Sequence, residues 1–222
     1  VGSEMCIRDS RYLADELSVD EMVTAVNGIP RHYLAQMMEK YAASISGNLR
    51  TDLHDLYQRL GLVDHAINTC RSLFWWRRLE GVRILGVLEG KVQPGILYLL
   101  LRDKHQAVRL AAARALGRSG DPRAVDPLLN TLAMPTGLSR PQIASILVEL
   151  GPVAHTRLRA VLRTPPQTRA ESRLYATVLE VLALSGDAKS APYIQYALTD
   201  SDSEIRIAAF RAAAILRLCL LY

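Results

Sequence analysis

Arg109-Leu110-Ala111-Ala112-Ala113-Arg114-Ala115-Leu116-Gly117 decides the fold, because the chain writes it more than once. Arg78-Leu79-Glu80-Gly81-Val82-Arg83-Ile84-Leu85-Gly86 precedes it by 31 residues, and Arg206-Ile207-Ala208-Ala209-Phe210-Arg211-Ala212-Ala213-Ala214 follows it by 97. Weaker copies lie between them, from Ile143 to Gly151 and from Tyr175 to Ala183. The frame therefore advances through 78, 109, 143, 175 and 206, and an internal period of this size marks a stack of supersecondary units. The junctions repeat as well. Leu101-Arg102-Asp103 stands before Val108-Arg109 as Leu198-Thr199-Asp200 stands before Ile205-Arg206, and Ser119-Gly120-Asp121 matches Ser185-Gly186-Asp187.

Apolar residues recur at helical spacing in each copy and glycines fall where helices should stop, so the unit is a helix pair. A second helix built from Ala111, Ala112, Ala113, Ala115 and Leu116 can approach its neighbours closely. One pair alone cannot bury its apolar face, whereas stacked pairs share a continuous core. Leu97, Leu100 and Leu101, with Leu128, Leu129 and Leu132, supply the bulky side of that core.

Upstream of residue 62 the period is absent. Ser18-Val19-Asp20-Glu21 reads as a capping box, and Asn27-Gly28-Ile29-Pro30 breaks the chain before a helix that reaches about Ser46, with Gly47 as its stop. A third helix fits Leu49 to Leu60 and ends at Gly61. The expectation is an all-α chain with non-repeat N-terminal helices over 11–61 and a repeat array over 62–218.

Gly120-Asp121-Pro122-Arg123-Ala124-Val125-Asp126-Pro127-Leu128-Leu129, together with the Val108-Arg109 and Ile205-Arg206 dipeptides opening alanine-rich helices, resembles HEAT-like repeats of the short kind also found in phycobilin lyases. The resemblance covers about 62–218 and implies a right-handed α-α superhelix, a HEAT-like solenoid whose second helices line the concave surface. Two copies depart from the pattern: Arg140-Pro141-Gln142-Ile143 replaces the basic dipeptide in one, and the Tyr175 frame lacks the arginine. Those repeats are expected to pack differently.

The ends read as foreign. Val1 to Ser10 matches an in-frame translation of a transposase adapter used in sequencing libraries, and Cys219-Leu220-Leu221-Tyr222 matches the reverse complement of its inner end. Residues 1–10 and 219–222 are accordingly expected to be adapter-derived, and the insert to be a bacterial, metagenomic fragment. The full chain has 27 basic and 22 acidic residues, a net charge of +5; setting the flanks aside removes Arg8, Glu4 and Asp9 and leaves +6. Cys6 and Cys219 leave with the flanks. Cys70 then stands alone as a small core hydrophobe, with neither a disulfide framework nor a cysteine metal cluster available. The longest uncharged run, Pro127 to Ser139, is too short and too broken by proline and glycine to span a bilayer. A cytoplasmic location follows as the expectation, with any membrane tether lying outside the fragment.

No phosphate-binding loop and no dinucleotide fingerprint appear, and His32, His54, His65, His105 and His155 form no i, i+4 pair. No catalytic residue, cofactor or metal ligand is assigned. Asp200, Asp202 and Glu204 suggest a cation loop but sit at a helix start, where acids offset the helix dipole. Phe74-Trp75-Trp76-Arg77-Arg78 pairs aromatic with basic residues as single-strand binders do, yet its place at the head of the array points to sealing the end of the core.

Arginine is the informative polar residue: of 27 basic residues only Lys40, Lys91, Lys104 and Lys189 are lysines. Arg78, Arg109 and Arg206 share one column, with Asp103 and Asp200 six residues before the last two. An inter-repeat Asp-Arg ladder is the expectation there, since a planar guanidinium suits bidentate pairing. A second column holds Arg83, Arg114 and Arg211, with Arg118 one turn beyond Arg114, and is the candidate contact for an acidic partner. The reading that follows is a non-catalytic scaffold binding a protein through the concave face. A phycobilin lyase-like enzyme subunit and a HEAT-like nucleic-acid binder are the alternatives, and self-association through an apolar C-terminal edge including Ile205, Ala209 and Leu216 is expected.

Overall fold

The computed structural model describes residues 23–24, 26, 28–42, 55–88, 95–134 and 137–217. The flanks 1–10 and 219–222, the Ser18–Glu21 box and the Gly47 stop lie outside these residues. The chain forms two compact units, 1–92 and 93–222. The division falls inside the stretch expected to be one array, leaving the Arg78 frame in the first unit and the Arg109 frame in the second.

In the first unit Gly28 takes a left-handed φ of 95° and Pro30 leads into helix α1, Arg31–Ala42. The carbonyl of Pro30 accepts the first hydrogen bonds of this helix, from the backbone N–H groups of Tyr33 and Leu34. A helical stretch at 55–59 stops at Gly61, whose φ of 65° is the left-handed turn that glycine adopts without strain. Helices α2, Leu62–Cys70, and α3, Trp75–Val87, then pack on one another. Gly81 sits where they touch. A Cβ there would lie 2.7 Å from both the Ala66 carbonyl oxygen and Cys70 Sγ, so a larger residue would force the pair apart. Burial at this contact pushes the Cys70 thiol up to about 12, consistent with a core role.

The second unit is a stack of helix pairs. Its elements are α4, Gly95–Leu100; α5, Gln106–Arg118; α6, Val125–Asn130; α7, Arg140–Leu150; α8, His155–Val161; α9, Arg169–Leu184; α10, Ala191–Ala197; and α11, Ser203–Ile215. The second helices α5, α7, α9 and α11 contact one another in order, and each of α4, α6, α8 and α10 lies against the second helix of its own pair. Every described element is helical, and the fold is an α solenoid.

Small residues set the spacing as the alanine pattern requires. Ala112, Ala113, Ala209 and Ala212 are fully buried, and a Cβ on Gly117 would meet Ile146 Cγ2 at 2.7 Å across the α5–α7 contact. The core between the layers is closed by Leu116, Leu128, Leu147, Leu158, Leu179 and Ile194, none of them exposed by more than 1%.

Two expectations need correction here. Phe74, Trp75 and Trp76 do not seal a core: they are 50%, 38% and 53% exposed at the start of α3. The apolar edge on α11 exists but is made by other residues. Ile205 and Ala209 are buried among the neighbouring helices, while Ile207, Phe210 and Ile215 stand about half-exposed on the opposite side. The α9 positions matching Ile207 and Phe210, Ala176 and Leu179, are fully buried within the stack.

Candidate functional site

The arginine frame turns out to hold loops. In α5, Arg109 is 7% exposed and its Nη1 donates to the carbonyls of Asp103 at 2.8 Å and Lys104 at 3.0 Å. Arg206 in α11 does the same to Asp200 and Ser201, both at 2.8 Å, and Arg78 in α3 to Ser72 at 3.0 Å and Leu73 at 2.9 Å. These bonds run within one repeat, from the fourth helical residue back to the loop that enters the helix, and end on carbonyl oxygens. Asp103 and Asp200 share a different arrangement, each Oδ1 accepting at 2.8 Å from the N–H two residues on, His105 and Asp202. The repeated Asp-to-Arg spacing thus encodes a clamped turn built within each repeat.

Inter-repeat Asp-Arg pairs do occur, between residues the period did not single out. Arg157 on α8 bonds Asp126 on α6, and Arg159 on α8 bonds Asp187, in the turn before α10, at 2.6 Å. Asp187 is 6% exposed and also faces His155 Nδ1 at 3.6 Å.

The exposed face of the second-helix layer carries a denser network. Arg140, the first residue of α7, donates Nε to Thr177 Oγ1 on α9 at 3.0 Å, pairs through Nη1 with Glu204 on α11, and approaches Glu180 on α9 at 3.9 Å. Arg173 adds a contact to Glu204 at 3.9 Å, and Arg211 bonds Glu180 at 3.4 Å. Three arginines and two glutamates therefore join three successive second helices, leaving one net positive charge. In sequence frame the second arginine column reads Arg83, Arg114, Val148, Glu180 and Arg211 once the weaker copies are included. Glu180 occupies the frame next to Arg211, which is how two positions 31 residues apart on α9 and α11 come to pair.

The candidate residues consequently fall into different situations. Arg211 is 69% exposed at its side chain but paired. Arg114 and Arg118 on α5 are exposed and have no ion pair among the described residues. Arg83 is exposed on α3 in the first unit. Arg140, which sequence reasoning saw only as a departure from the pattern, is the hub of the network; its partners lie 37 to 64 residues away, beyond any local signal.

Asp200, Asp202 and Glu204 are all engaged in protein contacts. Asp202 caps α11 by accepting from Glu204 N at 2.8 Å, and the Ser172 hydroxyl bonded to it is the leading cause that holds its carboxyl below the usual range. A groove of about 580 Å³ runs past these residues between 165–169 and 199–202. Among the described residues no group of three histidine, cysteine or acidic side chains is placed to hold a metal ion, and no helix is long and apolar enough to cross a membrane.

Against known proteins, residues 63–144 match the family model for HEAT repeats. That segment carries HEAT-like repeats. Two engineered proteins solved by the Northeast Structural Genomics Consortium are similar in structure, each at 16% identity and a TM-score of 0.47. One alignment covers 90% of this chain and 96% of the engineered one, and the other 92% and 59%. No curated protein matches the sequence. The match takes in α2 to α6 and the start of α7, whereas most of the charged network lies on the later helices α9 and α11.

Proposed function

We propose that the chain is a non-catalytic scaffold that holds a protein partner on the exposed face of its second-helix layer, the concave side in a HEAT-like solenoid. The observation that carries this reading is the contrast along that face: Arg140, Arg173 and Arg211 on α7, α9 and α11 are paired with Glu180 and Glu204, while Arg114 and Arg118 on α5 have no ion pair among the described residues. Two guanidinium groups one helical turn apart present paired donors to carboxylates, so the partner segment is acidic.

Selection from a displayed peptide library tests this. Acidic peptides should be enriched, and the R114E/R118E protein should lose them while keeping its melting temperature. Enrichment of non-acidic peptides, or equal binding by the double variant, would overturn the assignment. The two alternatives have their own readouts. A new absorbance band on titration with an open-chain tetrapyrrole would favour the lyase-like reading, and salt-dependent capture of an oligonucleotide by Arg114 and Arg118 would favour nucleic acid.

The proposal extends to self-association. Ile207, Phe210 and Ile215 lie on one stripe of α11 at i, i+3 and i+8, and the matching α9 positions of the first two are covered by another second helix. A second copy offers the same kind of surface. Sedimentation should show dimer that I207S/F210S abolishes; a monomer at all concentrations would remove this part of the proposal.

A further inference from the structure

The three guanidinium clamps fix the same turn in three places, and what each turn displays differs. Beyond the clamped carbonyls, the turn before α5 shows Lys104, His105, Gln106 and Ala107, and the turn before α11 shows Ser201, Asp202, Ser203 and Glu204. The turn before α3 shows Leu73, Phe74, Trp75 and Trp76. Leu73 is 95% exposed, and the rings that follow are also in solvent. Polar residues serve this backbone equally well elsewhere, so the turn itself does not call for apolar side chains. A contiguous apolar surface of this kind on a rigid tip marks a contact site.

We propose that this tip is an interfacial anchor for an anionic lipid surface, with Leu73, Phe74 and Trp76 entering the boundary between headgroups and acyl chains and Arg71 and Arg77 meeting headgroup phosphates. Three features carry it. Charge is complementary: Arg71 and Arg77 are exposed on either side of the apolar residues, and Glu80, the acid closest in sequence, is half-buried one turn further along α3. The apex is Leu73, an aliphatic side chain with no stacking face, which suits insertion into hydrocarbon better than stacking on bases. The rings are already committed to each other. Phe74 and Trp76 stack at 4.6 Å with 25° between planes, Trp75 meets Trp76 edge-on at 6.1 Å, and the Arg77 guanidinium lies 5.9 Å from the Phe74 centroid. Such a block of aromatic and basic side chains belongs at a membrane–water interface. The Arg78 clamp keeps it rigid, so little loop entropy is lost on docking.

Trp75 and Trp76 are the only tryptophans in the chain, so tryptophan emission, excited selectively over the tyrosines, reports on this tip alone. The experiment titrates the purified chain with vesicles of phosphatidylcholine alone and of phosphatidylcholine mixed with phosphatidylserine, following emission and co-sedimentation. The expected result is a blue shift and sedimentation with the mixed vesicles. L73S/W76S should weaken partitioning about tenfold or more without moving the melting temperature, and R71E/R77E should remove the preference for the anionic vesicles. No vesicle binding by the parent chain, or equal binding by L73S/W76S, would overturn the proposal. So would tighter binding to a single-stranded oligonucleotide that quenches both tryptophans, or a dimer that L73S/W76S dissociates, since these would give the tip to nucleic acid or to a second copy.

Discussion

The second helices of the stack begin in two ways. Helices α5 and α11 are entered through a turn whose carbonyls are held by an arginine from the helix's first turn, Arg109 or Arg206. Helices α7 and α9 have no such arginine and start on side-chain caps alone, whereas α11 adds the Asp202 cap to its clamp. Ser139 and Gln142 form a reciprocal capping box on α7, with Pro141 in the first turn, and Thr168 accepts from Glu171 N on α9 while Glu171 accepts from Gln167 N at 2.7 Å. The fourth helical position, freed of arginine, holds fully buried Ile143 in α7 and Ser172 in α9. One repeat architecture thus fixes its helix starts by two chemistries, a cation that holds the carbonyls of the entering loop or a hydroxyl, carboxylate or amide that accepts from backbone N–H groups.

The largest effect is expected where the two classes agree, at the close contact between second helices. Ala112 is fully buried, and Ala112→Leu would insert three carbons into a contact set by alanine and glycine, at a cost of about 1 to 3 kcal/mol. The denaturation midpoint should fall clearly. An unchanged midpoint would show that the stack tolerates bulk and that helix starts, not spacing, govern its stability.

Next comes the comparison itself. Arg109→Ala removes two charge-assisted bonds at a buried position and leaves two loop carbonyls unpaired, an effect of about 1.5 to 3 kcal/mol. Ser139→Ala removes the hydroxyl half of an exposed capping box while keeping the backbone bond to Gln142, and should cost about 1 kcal/mol. Chemical denaturation of both proteins measures the difference. Equal losses would mean that the clamp is worth no more than a cap, and the distinction between the two classes would carry no energetic weight.

How much of this was legible follows from the range of each interaction. The helix pairs, the alanine layer and the glycine stops depend on neighbours within a few residues, so the period revealed them. Even Asp-to-Arg spacing was visible, but the sequence cannot show which oxygen a guanidinium meets, and at Arg109 and Arg206 it meets carbonyls. Arg140 was visible only as an irregularity because its partners Thr177, Glu180 and Glu204 come from later repeats. A signal did exist for Arg211: the weaker copies place Glu180 one repeat before it in the same frame. For Phe74 and Trp76 the place at the head of the array misled, since a segment there can present its rings to solvent as well as to the core.

A third clamp, on α3, allows a pH test in the first unit. Cys70 Sγ lies 4.0 Å from the Arg78 carbonyl, and its thiol is pushed from 9.0 up to about 12 by burial. The folded state holds the proton that the unfolded chain gives up, so this contribution is complete below pH 9 and is lost as pH rises from 9 towards 12. The loss is on the order of 1 kcal/mol for each pH unit in that window. In a chain carrying Cys6→Ser and Cys219→Ser, stability should fall more steeply above pH 9 than in the same chain with Cys70→Ala. Parallel curves would show that Cys70 does not couple folding to pH.

The smallest effect should come from the outermost member of the exposed network. Arg211 is 69% exposed at its side chain and reaches Glu180, 23% exposed, at 3.4 Å, so solvent around the guanidinium screens most of the attraction. Arg211→Ala should cost less than about 0.5 kcal/mol, and the loss should shrink further in high salt. Arg140→Ala ought to cost more, because Arg140 is 33% exposed, bonds the buried Thr177 hydroxyl, and touches both glutamates. Measuring both variants in low and high salt separates a tether from a set of independent surface pairs. If Arg140 is the hub, its loss will persist at high salt while that of Arg211 vanishes; if both vanish together, the network contributes only screened surface charge, and α7, α9 and α11 are held by their small apolar side chains alone.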